Sequence, residues 1–176
     1  MPLPTPKVLQ FGHFRMAEIE CLLLLPLACS GLTGGGGLIR NCHGEWISGF
    51  ARSIGLTTSL AAECWAVRDG LMLCLRLGLN AVEVEVDASY LVSLLANAAV
   101  TNSEISSLVD DCRDMLKKLS HTRVKHCYRE GNKCADRLAR LGTELEESFV
   151  IFEYPAPCYC ISFNSGQAGP DPGAHL

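Results

Sequence analysis

The sequence has no apolar run approaching the roughly 20 residues needed to span a bilayer, so no membrane association is expected. It has no CxxC pair among its ten cysteines, so the usual zinc-ligand spacing is absent. It has no excess of positive charge. Lys and Arg number 15 against 19 Asp and Glu, a formal net charge of −4, which argues against a strongly basic nucleic-acid arm but leaves room for a local basic face. The glycine run Gly34–Gly37 lacks a following Lys-Ser/Thr and leads into a strand pattern rather than a helix, which excludes a phosphate-binding loop. Glycines opening a strand more often let two backbones approach closely.

What is present points to one folded domain. A chain of 176 residues with 48% hydrophobic and 19% charged residues can bury most of its apolar surface without disulfides or metal. Cys64, Cys74 and Cys112 fall in helical patterns, where cysteine acts as a small hydrophobe. Cys158 and Cys160 form a CxC, a weak metal signal. The expected compartment is intracellular and reducing, nucleus or cytoplasm. The alternative, a secreted chain, rests on the apolar run Ile19–Cys29 (IECLLLLPLAC). That run is open to three readings: a signal-peptide core, a buried first strand despite Pro26 and its leucines, or sequence foreign to the fold.

From Gly34 the pattern sharpens. GGGGLIRNCHGEWISGFAR reads as two strands joined by a turn at Asn41–Gly44. Ser59 to Leu77 reads as a long helix with Ser59 as N-cap and Gly78 as its stop. AVEVEV, Ala81–Val86, alternates as a half-buried strand does. Helices over Ala88–Ala96 and Ser103–Leu119, a strand over Thr122–Tyr128 and a closing helix from Asn132 to about Glu147 follow. This order implies a mixed α/β sheet with helices packed on it. Residues 1–30 read as an atypical leader that replaces or distorts a first strand, 31–152 as the domain, and 153–176 as a disordered tail.

Three carboxylates stand at expected element ends: Glu63 in the first turn of the long helix, Asp87 after VEV, and Asp136 near the start of the last helix. Side chains at such ends can converge on one edge of a sheet. Grouped carboxylates usually hold a hard cation such as Mg²⁺. The alternative is three separate solvated acids or helix-end charges.

The strings GGGGLIRNCHGEWISGFAR, LAAECWAVRDGLMLCLRLG, VEVEVDASYLV and VKHCYREGNKCADRLARLG closely resemble the ribonuclease H-like domain abundant in plants and found beside retrotransposon reverse transcriptases. The resemblance implies a five-stranded mixed sheet flanked by helices, and Mg²⁺- or Mn²⁺-dependent hydrolysis of the RNA strand of RNA–DNA hybrids. It places Glu63, Asp87 and Asp136 on three of the family's four metal-binding acids. The fourth, an Asp-Gly pair ending the first strand, is absent: CLLLLPLACSGLTGGGG stands there, with a leucine at about Leu23. Loss of a metal-positioning acid weakens metal binding and misplaces the attacking water. The resemblance therefore implies either an impaired ribonuclease or a catalytically inactive module that holds nucleic acid or protein.

Arg129, Lys133, Arg137 and Arg140 make a basic run around the last helix; Arg129, Lys133 and Arg137, with Asn132, form a candidate nucleic-acid contact, with Lys117, Lys118, Arg123 and Lys125 adding charge. The expected partner is an RNA–DNA hybrid or other nucleic acid, with no small-molecule cofactor. His126 reads as a sheet residue rather than a proton carrier, and Trp46 and Trp65 as core.

Overall fold

Residue alternation along one glycine-rich strand sets the layers of this protein. The computed structural model describes residues 20–29, 32–97, 105–128 and 133–155. In chain order these form β1 (Glu20–Cys29), β2 (Leu32–Arg40), β3 (Trp46–Gly55), α1 (Ser59–Arg76), β4 (Ala81–Val86), α2 (Ser89–Ala96), α3 (Ser106–Lys118), β5 (His121–His126), α4 (Lys133–Glu144) and β6 (Phe149–Phe152). The strands make one sheet in the order β5-β4-β1-β2-β3-β6. β1 pairs in parallel with β4, and β4 with β5. β1, β2, β3 and β6 pair antiparallel in succession.

The helices divide between the two faces. Leu38 of β2 packs with Cys134, Ala135 and Leu138 of α4. Its neighbour Ile39 joins the larger core of α1, α2, α3 and the β4 valines. This is the period-two alternation of a strand with both faces covered. The glycines follow the same alternation. A methyl group placed on Gly36 would lie 2.8 Å from Leu138 Cβ and closer still to the Ala139 backbone nitrogen. One on Gly34 would lie 2.7 Å from the Thr143 backbone nitrogen. α4 answers with its own glycine, since a methyl on Gly142 would lie 3.0 Å from the Gly35 carbonyl oxygen. On the opposite face Gly35 looks toward Ile54 and Ala66 of the α1 layer. The glycine run therefore does what its position in a strand suggested: it lets α4 lie directly on the sheet backbone.

α1 is anchored to β3 by a buried ion pair. Arg52 Nη1 donates to both carboxylate oxygens of Asp69, at 3.1 and 3.0 Å, and Asp69 is fully buried. The Arg52 guanidinium lies 4.5 Å from the Trp65 ring centroid, with Arg68 at 5.4 Å. Burial pushes the Asp69 carboxyl above its usual range, while the adjacent Arg52 charge pulls it down. Trp65 is thus a half-buried cation-stacking ring rather than plain core, whereas Trp46 packs in the α4 cluster.

Several boundaries differ from expectation. The first-strand place is filled: Glu20–Cys29 lies between β2 and β4 over its first residues, so the strand is degenerate in sequence but not missing. β4 pairs with β1 only over Glu20–Leu23. Among the described residues Pro26 therefore falls where β1 pairs with β2 and not with β4, the edge setting in which proline is tolerated. The sheet has a sixth strand, β6, which the sequence reading left out. Thr58 rather than Ser59 caps α1, its hydroxyl accepting from the Ala61 amide at 3.3 Å. The expected stop is observed, with Gly78 at φ +71°. Residues 1–19 of the leader and 156–176 of the tail lie outside the described residues.

Two stability predictions follow from these contacts. Gly36→Ala should cost about 2 kcal/mol or more by overpacking against α4, measured by urea denaturation. Gly35→Ala should cost less, because the neighbour it meets is the tip of the Ile54 side chain. Asp69→Ala should cost about 3 kcal/mol by stranding the Arg52 charge, and Asp69→Asn less, because the amide oxygen still accepts from Arg52.

Candidate active site

The three candidate acids sit on three elements. Asp87 directly follows β4, whose valines Val82, Val84 and Val86 are buried while Glu83 and Glu85 point to the other face. Asp136 lies in the first turn of α4, where a carboxylate is favoured by the helix dipole. Glu63 corrects the sequence reading: with the helix starting at Ser59 and capped by Thr58, no acid lies in the first turn, and Glu63 falls in the second. All three are half-buried.

Backbone register brings two of these acids to the same end of the central strands. Gly36 of β2 meets Leu138 and Ala139, so Asp136, two residues earlier on α4, lies near the level of Gly37 and Leu38. Those residues pair with Leu24 and Leu23 of β1. Leu23 in turn pairs with Glu85, two residues before Asp87. Asp136 and Leu23 therefore lie near one level across α4 and β1, with Asp87 two residues, or about 7 Å, farther along the β4 direction, and Glu63 comes from the layer on the opposite face. At this level β1 reads CLLLLPLAC from Cys21 to Cys29, without a carboxylate. The strand's one acid, Glu20, pairs with Val82, five residues before Asp87, or about 16 Å along the strand. The Glu20 backbone therefore lies well away from the level of Asp87.

Three carboxylates suit a hard cation in kind. Among the described residues, however, no group of three His, Cys, Asp or Glu side chains is placed to hold a metal ion. One oxygen of Glu63 (Oε2) and one of Asp87 (Oδ1) are shielded from solvent. Burial, then the neighbouring Glu63, pushes the Cys64 thiol up to about 12, and burial, then Cys64, raises the Cys112 thiol. Both remain protonated, so neither is a nucleophile.

A neighbour of Asp87 was not legible in the sequence. His126 ends β5 beside Val86, and its Nε2 lies 3.0 Å from the Asp87 carbonyl oxygen. A carbonyl only accepts, so Nε2 carries the proton. The Tyr128 ring meets the His126 ring edge to face, with centroids 4.9 Å apart. The 39-residue separation and the parallel β4–β5 pairing hid this contact.

The basic face is smaller than the sequence suggested. Lys125 Nζ pairs with Glu83 at 2.5 Å and Glu85 at 2.8 Å, Arg123 with Glu83 at 3.7 Å, and Lys117 with Asp114 at 2.8 Å. Its bonds to Glu83 and then Glu85 raise the Lys125 pKa. Three of the four additional cations are therefore already matched by acids. Lys133 and Arg137 are exposed on α4. Arg129 and Asn132 lie outside the described residues. Among the described residues no helix is long and apolar enough to cross a membrane.

Known proteins share this fold. An Arabidopsis thaliana protein provisionally named a ribonuclease H protein is 36% identical over 123 residues, which is 70% of this chain and 20% of that protein. The chain thus spans about a fifth of that relative. Ribonuclease H1 of the halophilic archaeon Halobacterium salinarum superposes with a TM-score of 0.66 at 20% identity, covering 71% of this chain and 97% of its own. The N-terminal ribonuclease H domain of a Mycobacterium tuberculosis protein gives 0.67 at 18%, covering 73% and 95%. A ribonuclease H1 isolated from compost, solved with an RNA/DNA hybrid, gives 0.64 at 20%, covering 71% and 96%. The reverse transcriptase-like family profile matches residues 28–142. With that match, and with the mixed sheet and its flanking helices, the chain belongs to the reverse transcriptase-like family as a ribonuclease H-like domain.

Proposed function

We propose that this chain is a ribonuclease H-type nucleic-acid-binding domain whose hydrolysis of the RNA strand of RNA–DNA hybrids is impaired by the missing first-strand aspartate. One observation carries this reading: β1 occupies the first-strand place with CLLLLPLAC and no carboxylate at the level of Asp87 and Asp136. Residual Mg²⁺ or Mn²⁺ binding is assigned to Glu63, Asp87 and Asp136. A bound divalent ion there would supply a polarised water and neutralise phosphate charge. The partner class is supported by a structural relative solved with an RNA/DNA hybrid. Lys133 and Arg137, with Arg129 and Asn132, are proposed as contacts to the backbone of the nucleic acid. Binding through them weakens as salt rises, because each neutralised phosphate releases counterions.

The same observation favours a second reading, a catalytically inactive module that keeps the fold to hold nucleic acid or protein.

The test is cleavage of a labelled RNA–DNA hybrid in Mg²⁺ or Mn²⁺ by the wild-type chain, the Leu23→Asp chain, and Leu23→Asp combined with Asp87→Asn. The Leu23→Asp chain should cleave about a hundredfold faster than wild type, since a metal-positioning acid contributes several kcal/mol to the transition state. The added Asp87→Asn should abolish that gain. Wild-type cleavage as fast as that of Leu23→Asp would contradict the proposed impairment. Hybrid binding with no cleavage by any variant would favour the second reading.

A further inference from the structure

The loop that follows β5 carries an aromatic ring that nothing in the reading above uses. Tyr128 is 76% exposed, and Tyr90, three residues after Asp87, is 59% exposed. Exposed aromatic rings on a soluble surface are unremarkable singly. Tyr128 differs because it is held in place. His126 meets it edge to face at an interplanar angle of 85°, and the same imidazole bonds the Asp87 carbonyl at 3.0 Å. Between them, the Cys127 amide donates to the Val86 carbonyl at 2.8 Å. The tyrosine is therefore fixed to the turn that carries Asp87 by a side-chain chain and a backbone bond.

An edge-to-face contact occupies at most one face of the tyrosine ring and leaves the other open. A pre-positioned, solvent-facing π surface beside a nucleic-acid site suits a nucleobase. Bases inside a duplex are stacked on one another and offer no free face, whereas an unpaired base does. Tyr90 adds a second exposed ring on the other side of Asp87 in sequence, at the start of α2.

We propose that Tyr128 is a stacking contact for an unpaired nucleotide flanking the duplex. This rests on the nucleic-acid-binding reading and deepens it: the preferred ligand is a hybrid bearing a single-stranded extension rather than a blunt hybrid.

The test compares affinities by fluorescence anisotropy for a blunt RNA–DNA hybrid and the same hybrid with a short single-stranded RNA extension. The wild-type chain should prefer the extended hybrid by about tenfold, the scale of one base–aromatic stack. Tyr128→Ala should lose that preference and keep blunt-hybrid affinity. Tyr128→Phe should retain it, because the stacking face survives. Tyr154→Ala, which removes another exposed ring (79%), should leave the preference intact. Equal wild-type affinity for the two ligands, or a preference that survives Tyr128→Ala, overturns the stacking assignment alone. A wild-type chain that binds neither ligand overturns it together with the nucleic-acid-binding reading.

Discussion

The direct packing of α4 on β2 is the constraint on which the rest of the structure depends. Gly34 and Gly36 leave no side chain between the helix and the strand, and Gly142 returns the favour toward the Gly35 and Arg52 carbonyls. Backbone against backbone fixes the axial position of α4 to within a fraction of a turn, because any methyl added at the contact collides with main-chain atoms that cannot rotate away. Asp136 therefore inherits its height over the sheet from glycines a hundred residues earlier. On the other face the Arg52–Asp69 pair ties α1 to β3 in a comparable way. The two acid-bearing helices are thus positioned by contacts outside the candidate site.

In the proposed reading this scaffold is kept while one of its site positions is changed. The β1 backbone takes the central place between β2 and β4, and its residues at the level of Asp87 and Asp136 are leucines. A carboxylate cluster needs a cation to offset its repulsion, and a cation needs enough carboxylates to replace its water. The proposed loss of one member would change both sides of that balance. The neighbouring face shows how acids and bases settle when no such cation is required: Glu83 and Glu85 are matched across the strands by Lys125 and Arg123. These pairs, half-buried on the acid side, withdraw positive charge from the surface available to phosphate.

Much of this was legible in the sequence, and the rest was not, for identifiable reasons. Four glycines leading into Leu38 and Ile39 announced a close backbone approach. The alternation of AVEVEV placed Asp87 at a strand end. Gly78 marked the end of α1. Glu63 was misplaced by one helical position, from the first turn to the second, because Thr58 and Ser59 can both cap, and only the observed Thr58–Ala61 bond chooses between them. The leucine run was ambiguous because leucine and Pro26 have poor intrinsic strand preference. Pairing with two neighbours overrides that preference, and Pro26 falls beyond the reach of β4. β6 was overlooked because four residues, FVIF, give too short a run for periodicity. The His126–Asp87 contact and the Lys125 ion pairs depend on which strands are neighbours, and local pattern does not carry that information.

The central claim is that the fold is intact and the metal site lacks its first-strand acid. Calorimetric titration of Mg²⁺ and Mn²⁺ into the wild-type and Leu23→Asp chains tests it most directly, without relying on turnover. The account predicts that Leu23→Asp binds the ion at least about tenfold more tightly, as expected when a hard cation gains a carboxylate ligand. Equal affinity in the two chains would contradict it.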